Sequence, residues 1–255
     1  MDTREHIRNR GLLTLLVVKF DIFGSAFNPL EDFLPSSSVS NGALSLLQDA
    51  EGNHCSSFPM PLLQLLHAGT MSKRSKPSIA STTNAAASTQ EAAQDLLEAA
   101  QHFDPKAWAL TIQPRSPAAD LDLRSHIASA HRAATRIYLS RMLSIGDHDL
   151  QIPQDHASLV SEVIEQLSFI LPADTLFAAT AWPAFIAGAE SRDTTGQDWA
   201  RKHFNRLWEV QPWGLMKGAI AALELIWQSR DQREAQSKHD WIALLKDKRM
   251  NWLIL

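Results

Sequence analysis

AWPAFIAGAESRDTTGQDWARKHFNRLWEVQPWGLMKGAIAALELIWQSR, residues 181–230, decides the fold class of this chain. Its apolar residues recur at steps of three and four, the spacing that keeps side chains on one face of a helix. One helix follows Thr194 or Thr195 and places Trp199, His203, Leu207 and Val210 on one face, with Phe204 and Trp208 beside it. Pro212 separates it from another that carries Leu215, Met216, Ala219, Ile220, Leu223, Ile226 and Trp227. Before them, Asp174 is expected to cap a helix that runs through AATAWPAFIAGAES, and Pro183 in its middle is expected to kink it. In this reading Gly188 admits a neighbouring helix, and Trp182, Trp199, Trp208, Trp213 and Trp227 fill the space between helices.

The same periodicity extends upstream. Ser88 stands three residues before Glu91, the spacing of a capping box, and opens a helix with Ala92, Leu96, Ala99, Ala100 and Phe103 on one stripe. Asp104-Pro105 ends that helix and starts the next, which contains Trp108. A long helix from about Asp120 to Leu143 aligns Leu123, Ile127, Ala130, Ala134, Ile137 and Tyr138. Its arginines, Arg124, Arg132, Arg136 and Arg141, read as a solvated side. Asp155 caps a helix bearing Leu159, Val163, Ile164, Leu167, Ile170 and Leu171, and Asp240 starts a last one with Trp241, Leu244 and Leu245. No stretch alternates with period two, so the expected fold is all-α, an irregular multi-helix bundle with a largely disordered N-terminal region.

Three segments follow from the composition along the chain. Residues 1–34 hold a short apolar helical segment, LLTLLVV (Leu12 to Val18), too short for the roughly 20 residues that span a bilayer. Residues 35–89 are a Ser-, Thr- and Ala-rich linker, mostly disordered. Its two apolar islands, Ala43 to Gln48 and Pro61 to His67, are each expected to make one or two helical turns. Residues 90–255 form the helical domain. Seven of the eight tryptophans lie after residue 180, so the bulkiest packing is expected there.

Composition narrows the chemistry. The 255 residues carry a net charge of -4, which gives no chain-wide attraction to phosphate backbones or anionic lipid. Cys55 is the single cysteine, which rules out an intrachain disulfide framework and any zinc site of two or more thiolates within these residues. No GxGxxG, GxxxxGK followed by Ser or Thr, GxSxG or HExxH occurs. His148-Asp149 and His239-Asp240, with His126 or His131 upstream, resemble fragments of an all-α metal-dependent hydrolase site. His126 and His131 are five apart and face different ways, and an Asp at a loop end is ordinarily a helix cap. Glu190, Asp198 and Glu224 are the acids nearest the Trp-rich core, where such a carboxylate pairs with a neighbouring arginine more often than it acts as an acid. Lys73, Arg74 and Lys76 form a short basic cluster suited to nuclear import. The residues themselves point to no catalytic, metal-binding or cofactor-binding constellation.

AWPAFIAGAES (Ala181 to Ser191) resembles the W-P-x-F-I-A-G-x-E signature of the second type of fungal-specific transcription-factor domain, the all-helical regulatory region of many zinc-cluster regulators. Asp198 to Asp231 resembles the later part of that domain, and SAHRAATRIYLSRML (Ser129 to Leu143) its alanine-rich helix. DWIALLKDKRMNWLIL (Asp240 to Leu255) is most similar to the acriflavine-sensitivity-control and ARCA-like subgroup. On this resemblance Trp182, Pro183, Phe185, Gly188, Glu190, Trp199, Trp208, Trp213, Gly214 and Trp227 are signature positions, read as structural. The resemblance implies a nuclear, non-enzymatic regulator of RNA polymerase II transcription. It also implies control of a pathway or gene cluster, and contact with the transcription machinery or a related regulator, with a dimer as one form. Such regulators bind DNA through a six-cysteine zinc cluster, which these residues cannot build. DNA contact is therefore expected only if that module lies outside this sequence. A helical protein that dimerises with or inhibits an intact regulator is the competing reading, and the metal-dependent hydrolase the third.

Overall fold

A computed structural model describes residue 51 and residues 57–74, 83–116, 119–144, 155–232, 240–248 and 250. The described residues form helices and turns, with no strand among them. In chain order the helices are α1 (Met60–Arg74), α2 (Thr83–His102), α3 (Pro105–Ile112), α4 (Leu121–Ser144), α5 (His156–Ser168), α6 (Ala181–Glu190), α7 (Thr194–Val210), α8 (Gly214–Gln232) and α9 (Trp241–Asp247). One 3-10 turn, Gln113–Arg115, follows α3, and another, Phe177–Thr180, leads into α6.

α4 is the axis. It packs against α1, α2, α3, α5 and α6, which its small residues permit: Ala130, Ala133 and Ala134 are fully buried beside Ile127, Ile137 and Leu139. α6 is the second centre and touches α4, α5, α7 and α8. Every residue from Trp182 to Glu190 is buried, so α6 has no wet face. α7 and α8 pair with one another and both close on α6. Gly188 allows this, because a Cβ there would lie 2.9 Å from Ala200 Cβ and 3.1 Å from both methyls of Leu223.

Aspartates set several helix starts. Asp104 accepts from the amides of Lys106 and Ala107 at 3.0 Å, Asp155 from Ser158 at 3.2 Å, Asp193 from Gly196 at 2.8 Å, and Asp240 from Ile242 and Ala243 at 3.0 and 3.3 Å. Each satisfies amides that the helix cannot, which stabilises by about 1 kcal/mol.

Several expectations are corrected. The island Pro61 to His67 belongs to a helix of 15 residues, and α2 begins at Thr83. Leu62, Leu63 and Leu66 are 1% exposed or less, so the packed body reaches across position 90 into the Ser-, Thr- and Ala-rich stretch. α1 is stable there because α2 and α4 cover its leucine face, a tertiary effect that local composition does not report. On α2 the buried stripe is Ala93, Leu97 and Ala100, while Ala92 and Ala99 are exposed. The adjacent Leu96 and Leu97 made both registers equally apolar. Asp174 accepts from the Leu171 amide at 2.6 Å in a turn and caps no helix. α6 starts only at Ala181, which puts Pro183 in its first turn, where a missing amide hydrogen breaks no helical bond and no kink is needed. Trp213 does not fill interhelical space and is 53% exposed. Residues 1–34 lie outside the described residues.

Candidate functional site

The end of α6 carries a carboxylate inside the protein. Glu190 closes a helix whose other side chains are almost all apolar, and its own is 2% exposed. A buried carboxylate is costly unless its lone pairs are met by donors. Arg141, on the last turn of α4, meets both oxygens: its Nε donates to Oε1 and its Nη2 to Oε2, each at 2.7 Å. Trp241 of α9 donates its indole N–H to Oε1 at 2.7 Å, and His156 at the start of α5 donates from Nδ1 to Oε2 at 3.3 Å. The other nitrogen of His156 shares a 2.7 Å hydrogen bond with Ser140 Oγ, whose hydroxyl also reaches the Ile137 carbonyl at 2.8 Å. One carboxylate thus ties α4, α5, α6 and α9.

Burial alone would raise the pKa of Glu190. The hydrogen bonds from His156 and Arg141, the Arg141 charge and the Trp241 bond overcome burial and hold it well below the usual carboxylate range. Arg141 is correspondingly pushed up despite its own burial. A carboxylate that stays ionised with both oxygens occupied has no proton to give and no free lone pair facing a substrate. The arrangement is suited to clamping helices.

A second clamp holds the same end of α6. Arg230 of α8 donates from Nη1 to the Ser191 carbonyl and from Nη2 to the Ala189 carbonyl, both at 2.7 Å. The end of a helix leaves carbonyls unmet and carries partial negative charge, and a guanidinium answers both. Trp227, one turn earlier and 3% exposed, donates its N–H to the Gly188 carbonyl at 2.9 Å. The Arg201 guanidinium lies 4.7 Å from the centre of its ring and pairs with Asp198 at 2.7 Å and Glu224 at 3.6 Å.

The remaining signature positions have different surroundings. Trp182 stacks on His131 with ring centres 5.6 Å apart and touches Phe58 and Tyr138. Phe185 meets Trp241 edge-on. Trp199 is half-buried and stacks on His203 at 5.2 Å. His203 shares a 2.8 Å hydrogen bond with Thr180, and burial, with the Arg206 charge, pushes its pKa down to about 4. Trp208 is half-buried beneath the Lys217 ammonium, which lies 4.1 Å from the ring centre. Gly214 is exposed, and a Cβ there would meet nothing within 4 Å.

Other candidate residues separate in space. His126 faces Gln166 at 2.9 Å and stacks on Phe169, whereas His131 reaches the Ala179 carbonyl at 3.2 Å. Among the described residues no group of three or more His, Cys, Asp or Glu is placed to hold a metal ion. His148, Asp149, His239, Cys55 and Lys76 lie outside the described residues, and Lys73 and Arg74 are the last two residues of α1. No helix among the described residues is long and apolar enough to cross a membrane.

The solvated side expected for α4 is corrected. Arg124 is fully buried: it pairs with Asp120 at 3.0 Å and donates to Ser57 Oγ at 3.0 Å and to the Glu51 carbonyl at 3.3 Å. Arg132 pairs with Glu162 at 2.8 Å, and Arg141 with Glu190. Sequence reading singled out Glu190 but missed Arg141, His156, Trp241 and Arg230 as its companions. The available signal was one acid at the end of a nearly all-apolar helix, which requires a cation from elsewhere.

The chain matches the family described as "Fungal specific transcription factor domain" over residues 10–255. It is 28% identical over 247 residues to the acriflavine sensitivity control protein acr-2 of Neurospora crassa, a match that covers 92% of this chain and 41% of that protein. The chain therefore spans about two-fifths of the length of this relative. No solved structure matches.

Proposed function

This chain belongs to the fungal specific transcription factor domain family, and on that premise we propose that it is the helical regulatory part of a nuclear transcription regulator. In this reading it controls a pathway or gene cluster through RNA polymerase II and contacts the transcription machinery or a related regulator. It has no catalytic role. The observation that carries the reading is the family match over nearly the whole chain. The chemistry of Glu190 supports it, since the most reactive-looking side chain of the interior is used up in holding helices together. The basic residues Lys73, Arg74 and Lys76 suit import into the nucleus.

A reporter assay tests this. The full chain, fused to an unrelated DNA-binding domain and expressed in a fungal host, is expected to change transcription from that domain's site several-fold relative to the DNA-binding domain alone. A fusion that is soluble and nuclear, yet leaves the reporter unchanged, overturns the proposal.

A further inference from the structure

The corner between α7 and α8 presents apolar side chains that the interior does not use. Val210 is 47% and Trp213 53% exposed, and Pro212 between them is exposed as well. The backbone here is fixed: the Trp213 amide donates to the Gln211 carbonyl at 2.7 Å, and the Trp213 carbonyl accepts from Met216 at 2.9 Å. The turn that carries the indole is therefore hydrogen-bonded on both sides of Trp213, which lowers the cost of ordering its backbone on binding. Gly214 follows, and the absence of any atom within 4 Å of a Cβ there means that packing does not require a glycine. Its effect is to leave the space beside Trp213 open.

Cations flank this apolar centre along the chain: Lys202 and Arg206 stand eight and four residues before Val210 on α7, hence on the same side of that helix, and Lys217 follows Trp213 by four. Lys202, Arg206 and Lys217 make no ion pair among the described residues, and Lys217 covers the outer face of Trp208. From 202 to 217 the chain carries these three cations and one carboxylate, Glu209, within a protein whose net charge is -4. An exposed tryptophan flanked by cations that make no ion pair among the described residues has the composition of a binding hot spot. A second copy of the chain would bring the same cations face to face across a two-fold axis, which is repulsive. A phosphate backbone would meet Glu209 and leave the apolar centre without a counterpart.

We propose that this corner docks an acidic amphipathic helix of a protein partner. Apolar side chains three and four apart pack on Trp213 and Val210, and carboxylates of the same helix meet Lys202, Arg206 and Lys217. The inference rests on the regulator reading only for the setting of that partner.

Fluorescence anisotropy of the purified full chain tests it. The probe is a labelled helical peptide about five turns long, with Leu and Phe on one face and Asp and Glu on the other. The control keeps the apolar positions and replaces every acid with Lys. The acidic peptide is expected to bind at least about tenfold more tightly than the control. Trp213→Ala, Gly214→Leu and Lys217→Glu are each expected to weaken binding about tenfold at unchanged Tm. Gly214→Leu is the safeguard, since the new side chain enters open space in the folded protein. No binding of the acidic peptide, equal binding of the control, or variants that bind like the wild type each overturn the proposal. Displacement of the peptide by a DNA duplex, or a dimer that Trp213→Ala abolishes, assigns the corner to another occupant and overturns it too. These readouts use no reporter gene, so failure here leaves the regulatory reading standing, and a silent reporter with intact peptide binding does the reverse.

Discussion

Glu190→Gln removes one charge and leaves the half-buried Arg141 guanidinium beside a neutral amide. Loss of one partner of a fully buried pair costs about 3–5 kcal/mol, and because Arg141 keeps some contact with water the loss expected in urea denaturation is about 2–3 kcal/mol. Adding Arg141→Leu is expected to recover part of it, because the unpaired cation is then gone. His203 gives a pH dependence whose sign can be worked out. Its pKa is 6.5 when solvated and about 4 when buried. Between those values the unfolded chain takes up a proton that the folded chain refuses, so stability falls as pH drops from 6.5 to 4, by up to about 3 kcal/mol. Thermal melts across that range are expected to show the slope in the wild type and a flatter one in His203→Gln. At this scale the sequence named Glu190 and Trp227 but not what they hold. Arg141, His156 and Trp241 stand 49, 34 and 51 positions from Glu190, and no local period links them.

Helix existence was mostly readable and helix burial less so. α4, α5, α7 and α8 start close to where Asp120, Asp155, Thr194 and Pro212 place them, because those signals act within one turn, whereas α5 ends at Ser168, before Ile170 and Leu171. α1 was underestimated because its stability comes from α2 and α4. The arginine face of α4 was misread because charge alone does not tell a wet face from a buried ion pair; only the partners on other helices do. α6 gives the element-level prediction. Arg230→Met keeps most of the side-chain volume but removes both hydrogen bonds to the Ala189 and Ser191 carbonyls. A charge-assisted bond contributes roughly 1.5–3 kcal/mol, so a loss of at least about 2 kcal/mol is expected in denaturant titration. Trp213→Ala removes far more side-chain volume, yet on the exposed corner it is expected to stay within about 0.5 kcal/mol.

As a whole, these 255 residues contain Cys55 and no other cysteine, so a six-thiolate zinc cluster cannot assemble from them. With a net charge of -4 they have no general electrostatic grip on DNA either. The purified chain is therefore expected to show no sequence-specific retention of duplex DNA at physiological salt. A gel-shift complex that survives competition by scrambled duplex would contradict this.

The Glu190 carboxylate also bears on how such a chain can be divided. Its companions come from α4, α5 and α9, so a cut anywhere between residues 141 and 241 puts members of one charge cluster on different fragments. A cut between 141 and 190 parts the carboxylate from its arginine, and a cut after 190 takes away the Trp241 donor. Swapping a segment that ends inside this region for one from an unrelated protein would break that circuit, and shortened expression products that stop before Trp241 begin life already missing a donor to the carboxylate at their centre.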